Sequence, residues 1–376
     1  MAVKIVRQAK KIVLIGAPTS AGAHAPGQER APAALRAAGL VARLTEIGFE
    51  VTDAGDCPAQ LHRPDDDSPR ARNVGPVLAM LNALRPHVEQ AVKSGALPLI
   101  LGGDCTIALA TIAAVRRYFP HLSLVYCDRD ADLQTPATTP SGCLHGMVIS
   151  HIIGRGSPEL VRFWGEPPLV REPDIALFGL ERMDPPEASF LERSPIRRYT
   201  SAEVSRLGPA VAADAALARI HTGGRQFVLH FDVDVIAAGD FSATDLPAEG
   251  GLRLDEIRQA LEVFVRQSNL AAFEITEFNP DRDPDGAAAR VLLDLLATAL
   301  AGRIPSPAPE EAPQPSVSAP AIVEVSEQAV AAPPATEEIA ADAAESRPAE
   351  VSKPDEPSAP DSGSPVPAGP DSSSIG

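Results

Sequence analysis

The sequence predicts an α/β protein, a three-layer αβα domain around a mostly parallel central sheet, followed by a disordered C-terminal tail. Three observations predict it. Short apolar runs bounded by Gly, Pro or Asp alternate with amphipathic stretches over residues 1–302 of the 376. Those runs are largely apolar rather than alternating, the pattern of strands covered on both faces, and strands interleaved with helices point to a parallel sheet. From residue 303 onward the composition changes: 15 of the 38 prolines, no aromatic residue, and 13 acidic against 3 basic residues. Too little apolar surface is available there to offset the entropy of ordering the chain, so residues 303–376 are expected to be disordered.

Taken in order, the first expected strand is Ile12–Ile15, closed by Gly16-Ala-Pro18. Further strands are expected at Leu97–Leu101, Leu122–Cys127, Ile175–Phe178, Phe227–Phe231 and Ala271–Ile275. Helical patterns lie between them at Pro32–Glu46, Val77–Ser94, Thr106–Tyr118, Leu254–Gln267 and Gly286–Leu300. Pro32 suits a first helical position, where no backbone N–H is required. No internal repeat is present.

Composition narrows the function. The net charge is −17, of which the tail carries −10. That balance argues against nucleic acid and anionic membranes as partners. No run of about 18 apolar residues exists to span a bilayer. The basic N-terminus leads into a run too short for a signal-peptide core. The four cysteines, Cys57, Cys105, Cys127 and Cys143, are irregularly spaced, and reduced thiols in the cytosol are the expectation. In the tail, residues 321–330 (AIVEVSEQAV) are the most apolar patch, either a short docking segment or, more simply, solvated tail.

In parallel sheets of this kind the ligand site lies at the carboxyl ends of the strands. Four strand ends are chemically loaded. Leu97–Leu101 runs into Gly102-Gly-Asp-Cys-Thr106, and Leu122–Cys127 into Asp128-Arg-Asp-Ala-Asp132. Phe227–Phe231 runs into Asp232-Val-Asp234, and Ala271–Ile275 into Thr276-Glu-Phe-Asn-Pro280. Like charges about 4 Å apart repel by several kcal/mol at an intermediate dielectric. Protons or metal ions must compensate. A pair of divalent ions bridged by shared carboxylates would do so and would activate a water. A lone Asp-x-Asp after a strand is most often a turn or capping pair; a second acidic cluster in the same sheet reverses that preference.

The order and spacing of these motifs over residues 12–302 resemble the arginase (ureohydrolase) family. Gly102–Thr106 resembles its Gly-Gly-Asp-His-Ser motif, Asp128–Asp132 its Asp-Ala-His-x-Asp motif, and Ser141-Gly-Cys-Leu-His145-Gly its Ser-Gly-Asn-Leu-His-Gly loop. Phe231-Asp-Val-Asp234, Gly250-Gly-Leu252 and Glu277-Phe-Asn-Pro280 resemble the closing motifs. The resemblance implies two manganese ions holding a bridging hydroxide that attacks a guanidinium carbon and releases urea. By position, one metal would be held by Cys105, Asp128, Asp132 and Asp232, the other by Asp128, Asp130, Asp232 and Asp234. Glu277 would pair with the substrate guanidinium, and His145 would shuttle protons to the leaving amine, a task suited to imidazole. Thr139, Ser141 and Gln134 would meet the carboxylate of an α-amino acid such as L-arginine, and Asp184 and Glu187 its amino group. Trimers or hexamers are the implied assembly.

Two departures fall on the metal ligands: Cys105 and Asp130 stand where the family carries histidine. Thiolate prefers softer ions than manganese, and Asp130 is shorter than the residue it replaces. Arg129, inside the triplet, would neutralise a carboxylate if metal were absent. Gln134 and Cys143 replace asparagines of the family pattern. Cys105 and Cys143 recruiting zinc is the weaker alternative, for want of a nearby histidine. Cys127 reads as a core residue. A non-catalytic descendant acting as a binding or assembly subunit, and an agmatinase- or formimidoylglutamase-like hydrolase, are the competing functional readings.

Overall fold

The computed structural model describes residues 5–220 and 224–304. The expected tail therefore lies outside the described residues from position 305 onward, as does the 321–330 patch. The described chain builds one eight-stranded sheet in which every neighbouring pair of strands is parallel. Its strands are β1 (Lys11–Ala17), β2 (Glu50–Asp56), β3 (Leu97–Gly102), β4 (Leu122–Cys127), β5 (Ile175–Leu180), β6 (Arg197–Thr200), β7 (Gln226–Asp232) and β8 (Leu270–Thr276). Across the sheet the order is β2-β1-β3-β8-β7-β4-β5-β6.

The expected strands all form, each matching the apolar run that marks it or exceeding it by one to three residues. Two were missed, β2 and β6, and the reason is their place. Both are sheet edges, paired on one side only, and neither needs a continuous apolar run. Six of the seven β2 residues (Glu-Val-Thr-Asp-Ala-Gly-Asp) are exposed. The central strands β3, β4, β5 and β8 are buried at every position.

Among the described residues eleven α-helices accompany the strands: α1 (Ala31–Ala37), α2 (Leu40–Glu46), α3 (Val74–Lys93), α4 (Ala108–Arg116), α5 (Val148–Ile152) and α6 (Pro158–Val161), then α7 (Pro185–Leu191), α8 (Ser201–Leu207), α9 (Pro209–Arg219), α10 (Leu254–Arg266) and α11 (Ala287–Ala301). The single helix expected over Pro32–Glu46 is two, because Gly39 adopts a left-handed conformation (φ 98°) between α1 and α2. Helices α5 to α8 are four to seven residues long, too short to show a periodicity in sequence.

The helices sort into two layers, each with its own core. One core packs α1, α2 and α8 to α11 on one sheet face, with Phe178 edge-to-face on Phe264 at 5.3 Å. The other packs α3 to α7 on the opposite face through residues such as Leu81, Leu84, Ile112 and Ile149. This is the three-layer αβα arrangement that the buried strands require.

The topology sets the stage for chemistry. The chain passes from β3 to β4 without pairing them, builds β5 and β6 outward, and only later inserts β7 and β8 into the space between β3 and β4. The four loaded strand ends thus become neighbours, in the order β3-β8-β7-β4. Their registers are level: Cys127 pairs with Phe231, Phe231 with Ile275, and Ile275 with Leu101.

The last side chain hydrogen-bonded into the described domain is Arg303, whose Nη1 donates to the carbonyls of Val265 and Gln267, both at 2.9 Å, and Ile304 packs beside it against the core. We propose that the folded unit closes here and that residues after 304 add nothing to its stability. A chain ending at residue 304 is expected to unfold as cooperatively in urea as the full chain. Ending at residue 302 should cost about 1–3 kcal/mol, the scale of losing hydrogen bonds to a charged group.

Candidate metal centre

Each loaded loop is held by local geometry before any ligand is considered. After β3, a Cβ on Gly103 would fall 1.9 Å from the Thr19 carbonyl oxygen, so only glycine permits this close approach. Asp104 turns away from the centre: it accepts from the Thr106 and Gly22 backbone N–H groups at 3.0 and 2.9 Å. Cys105 faces inward instead, its Sγ 3.0 Å from Asp232 Oδ2 and 3.3 Å from Thr276 Oγ1.

After β4, Asp128 Oδ1 accepts from the Asp130 backbone N–H at 2.6 Å, curling the triplet over the strand end. Asp132 lies in the left-handed region (φ 50°) and accepts from Tyr126 Oη at 2.5 Å. After β7, Asp232 Oδ1 accepts from the Asp234 N–H at 2.8 Å. After β8, Glu277 is also left-handed (φ 64°). Its Oε1 accepts from Cys105 N at 3.2 Å and lies 3.3 Å from His145 Nδ1, while Oε2 accepts from Gln28 Nε2 at 3.2 Å. Two non-glycine residues with positive φ at one site mark stored strain, of order 1–3 kcal/mol each.

Every site residue expected from sequence lines one cavity of about 360 Å³: Cys105, Asp128, Asp130, Asp132, Gln134, Thr139, Ser141, His145, Asp184, Glu187, Asp232, Asp234 and Glu277. Nine carboxylates line it against one arginine and two histidines, so the cavity calls for cations. Two groups of side chains bring donor atoms within 4.8 Å of one another: Cys105, Asp128, His230 and Asp232 in an inner position, and Asp128, Asp130 and Asp234 in an outer one. Asp132, held by Tyr126, stands outside both groups.

The outer group already has cationic company. Arg182 engages both Asp130 oxygens, at 2.5 and 2.8 Å, a bidentate fork. Buried Arg129 places Nη2 3.4 Å from Asp234 and 3.7 Å from Asp130. Asp234 Oδ1 nevertheless stays buried without a partner among the described residues, the kind of orphaned oxygen that a metal ion satisfies. By donor chemistry, then, the pocket fits divalent cations, with the guanidinium groups as competitors at the outer position.

The polar residues expected to meet substrate sit at the rim and are partly engaged. Gln134 Nε2 donates to Asp184 Oδ2 at 2.6 Å. Glu187 accepts from Leu133 N and Asp184 N, at 2.9 and 2.8 Å, as the cap of α7. Thr139 and Ser141 accept from loop N–H groups at Gly142 and Cys143. Gly142, at φ 75°, packs where a Cβ would meet the Pro69 carbonyl.

Sequence reasoning missed His230, Arg182, His24 and Asp245, which stand in or beside the pocket. For His230 a signal existed: it lies two residues before Asp232 in the same strand, and alternate strand residues share a face. Arg182 carried no such signal, because only the fold brings the end of β5 beside Asp130.

Titration follows the crowding. Burial, and then the charge of neighbouring carboxylates, raises Asp128 and Asp232 well above the ordinary carboxylate range. Burial and Asp130 raise Asp234 to about 7, against the opposing pull of Arg129. Burial and nearby Asp232 push the Cys105 thiol up, so it acts as a donor when no metal is bound. Burial works against protonated His145, but its bond to Glu277 outweighs this and raises it to about 10. Burial and neighbouring His145 lower His24 to about 4.

Fold and site together define a three-layer α/β protein with a ligand-lined metal-type pocket at the carboxyl ends of its central strands. Comparison with known proteins specifies the class. The model of the arginase family matches residues 10–302. The chain is 31% identical over 293 residues to the arginase of Bacillus caldovelox, covering 77% of this chain and 97% of that one. It is 30% identical over 295 residues to the arginase of Brevibacillus brevis, covering 78% and 99%. The crystal structure of arginase from Bacillus subtilis superposes with a TM-score of 0.71 at 28% identity, over 77% of this chain and 98% of that one. The chain belongs to the arginase family.

The coupling of protons to cations is open to test. Asp234, at about 7 in the folded chain against about 3.9 for an unfolded aspartate, keeps its proton between those values when folded and loses it when unfolded. Its share of metal-free stability is therefore full below about pH 4 and lost as the pH rises through about 7. A bound cation displaces that proton. The gain in melting temperature from added divalent cation should thus be small near about pH 5 and grow as the pH rises through 7. A gain that does not change with pH would exclude Asp234 from the groups that hold it.

Proposed function

We propose that this chain is a metal-dependent hydrolase of a linear carbon–nitrogen bond in a guanidino or amidine compound, with arginase-like release of urea from L-arginine or a related α-amino acid. The observation that carries this reading is the convergence of the metal-type donors, His145 and Glu277 in one cavity. Family membership supports the same reaction class.

The carboxylates would hold divalent cations, two in the fully loaded form and manganese for the oxygen-only donors Asp128, Asp130 and Asp234. Bound there, the cations supply Lewis acidity and a water activated near neutral pH. Asp132 would support that set from its Tyr126 contact. The rest falls to the protein's own side chains. Glu277, ionised and buried, faces the cationic guanidinium with a charge-assisted bond. His145 carries a proton below about pH 10 and delivers it to the departing amine nitrogen. In the balance of the step, a water oxygen bonds to the guanidinium carbon and the bond from that carbon to the amine breaks; the two protons the water gives up equal the two that bring the leaving amine to its ammonium form, one of them relayed through His145, which ends protonated as it began. Thr139, Ser141 and Gln134 would receive the substrate carboxylate; Asp184 and Glu187 would receive its ammonium group.

We further place the protein in the cytosol as a homo-oligomer, trimer or hexamer, acting on a small molecule rather than on nucleic acid. Among the described residues no helix is long and apolar enough to cross a membrane. The acidic balance opposes polyanionic partners.

Purified chain supplied with Mn²⁺ and offered arginine, agmatine or formiminoglutamate in turn is expected to release product from at least one, with arginine yielding urea. No product from any of them would sink the hydrolase reading. His145→Asn should lower kcat by about a hundredfold or more, the scale of lost general acid catalysis, and should also lower the melting temperature of the metal-free chain, because it leaves buried Glu277 without its charged partner. The wild-type rate should fall as the pH is raised through about 10, where His145 gives up its proton.

A further inference from the structure

We propose that the inner position is a mixed sulfur–nitrogen–oxygen site, formed by Cys105, His230, Asp128 and Asp232, that selects a zinc-class ion over manganese. The inference rests on the reading of this pocket as a metal centre and specifies its ion. His230 lies outside the ligand set implied by the family resemblance; it supplies an imidazole to a centre whose expected ligands contain none.

The geometry begins with strand register. Tyr126 pairs with His230 and His230 with Glu274, one row below Asp232 and its partner Thr276. Alternate strand residues share a face, so His230 and Asp232 point the same way. Donor atoms of Cys105, Asp128, His230 and Asp232 all lie within 4.8 Å of one another, and all four residues are buried. A tetrahedral ion with bonds of about 2.0–2.3 Å needs donors about 3.3–3.8 Å apart, a modest contraction of this arrangement.

The imidazole is also aimed. His230 Nδ1 lies 2.7 Å from Glu274 Oε1, and both side chains are fully buried. A carboxylate accepts only, so Nδ1 carries the proton and Nε2 keeps its lone pair for the centre, the orienting device found behind metal-bound histidines. The Tyr126 ring stacks on the imidazole at 4.1 Å, with the planes 4° apart, and fixes its tilt. Thr276 Oγ1 sits 3.3 Å from both His230 Nε2 and Cys105 Sγ, so the nitrogen and the sulfur border the same hydroxyl on one side of the site.

The alternative is a purely structural His–Glu pair. Burying such a pair gives little net stability over apolar residues of the same shape, and stability alone leaves the convergence of Nε2 on the thiol and Asp232 without a purpose. Among divalent ions, a thiol and an imidazole beside two carboxylates favour zinc, with cobalt as its spectroscopic substitute, and disfavour manganese.

The test uses the full chain, stripped with chelator and dialysed against equal Zn²⁺ and Mn²⁺. Elemental analysis should find about one zinc per chain retained in preference to manganese. The Co²⁺-loaded chain should show a thiolate-to-metal charge-transfer band, lost in Cys105→Ser. His230→Asn keeps a donor for Glu274 but removes Nε2; it should reshape the visible Co²⁺ bands and weaken zinc by roughly tenfold or more. Should that variant fail to fold, Glu274→Gln, which acts on the metal only through His230, should weaken zinc by about ten- to a hundredfold. No preference for zinc, no thiolate band, or a Co²⁺ spectrum indifferent to position 230 or 274 would overturn the proposal. Hydrolysis supported by Mn²⁺ without zinc preference would overturn it while leaving the proposed activity standing. Zinc bound as described without hydrolysis of any substrate would do the reverse.

Discussion

Repulsion among buried carboxylates is the constraint on which the rest of the molecule depends. Asp128, Asp232 and Asp234 meet at 2–6% exposure, with Asp130 and Glu277 beside them. Two unit charges about 4 Å apart repel by about 4 kcal/mol even at an effective dielectric of 20. Folding alone offers no gain that would gather them. The surroundings divide the load: burial and mutual repulsion shift Asp128 and Asp232 toward their protonated forms, Arg182 and Arg129 lean on Asp130 and Asp234, and His145 pairs with Glu277. What remains uncompensated, such as Asp234 Oδ1, is the room left for a cation.

The sheet makes this gathering possible. Strands buried on both faces leave only their ends for polar chemistry, and parallel strands all present the same end. Inserting β8 and β7 between β3 and β4 places four carboxyl ends side by side at one level. The loops above are held by local contacts: the close approach of Gly103 to Thr19, the cap formed by Asp104, and the left-handed turns at Asp132 and Glu277. That strain is tolerated because two packed helical layers hold the strands beneath it.

Cys105 and Asp130, which depart from the family pattern, are each answered by another residue in the structure. Beside Cys105 stands His230, aimed by Glu274 and flattened against Tyr126. Beside Asp130 stands Arg182, which takes both of its oxygens. Arg129, expected to neutralise a carboxylate, leans on Asp234 as well as Asp130. The inner and outer positions have thus diverged in character, one toward softer donors and the other toward guanidinium compensation.

The layered fold, the strand ends that carry chemistry and most of the polar residues that line the pocket were legible in sequence, because largely apolar runs report two-sided burial and motif spacing survives without coordinates. The edge strands β2 and β6 were not, since an edge makes no demand for apolar residues; nor were the short helices α5 to α8, which span too few turns. His230 was half legible, its strand parity visible but its approach to Cys105, 125 positions earlier in the chain, hidden. Sequence by itself determined which side chains stand at strand ends, because alternation and run length are local properties. Only the tertiary structure decided which of those ends are neighbours, which carboxylates meet a metal-type donor and which meet an arginine. Strand order, register and the crossing of distant segments are set by global packing, and electrostatic partners follow from distance in space rather than along the chain.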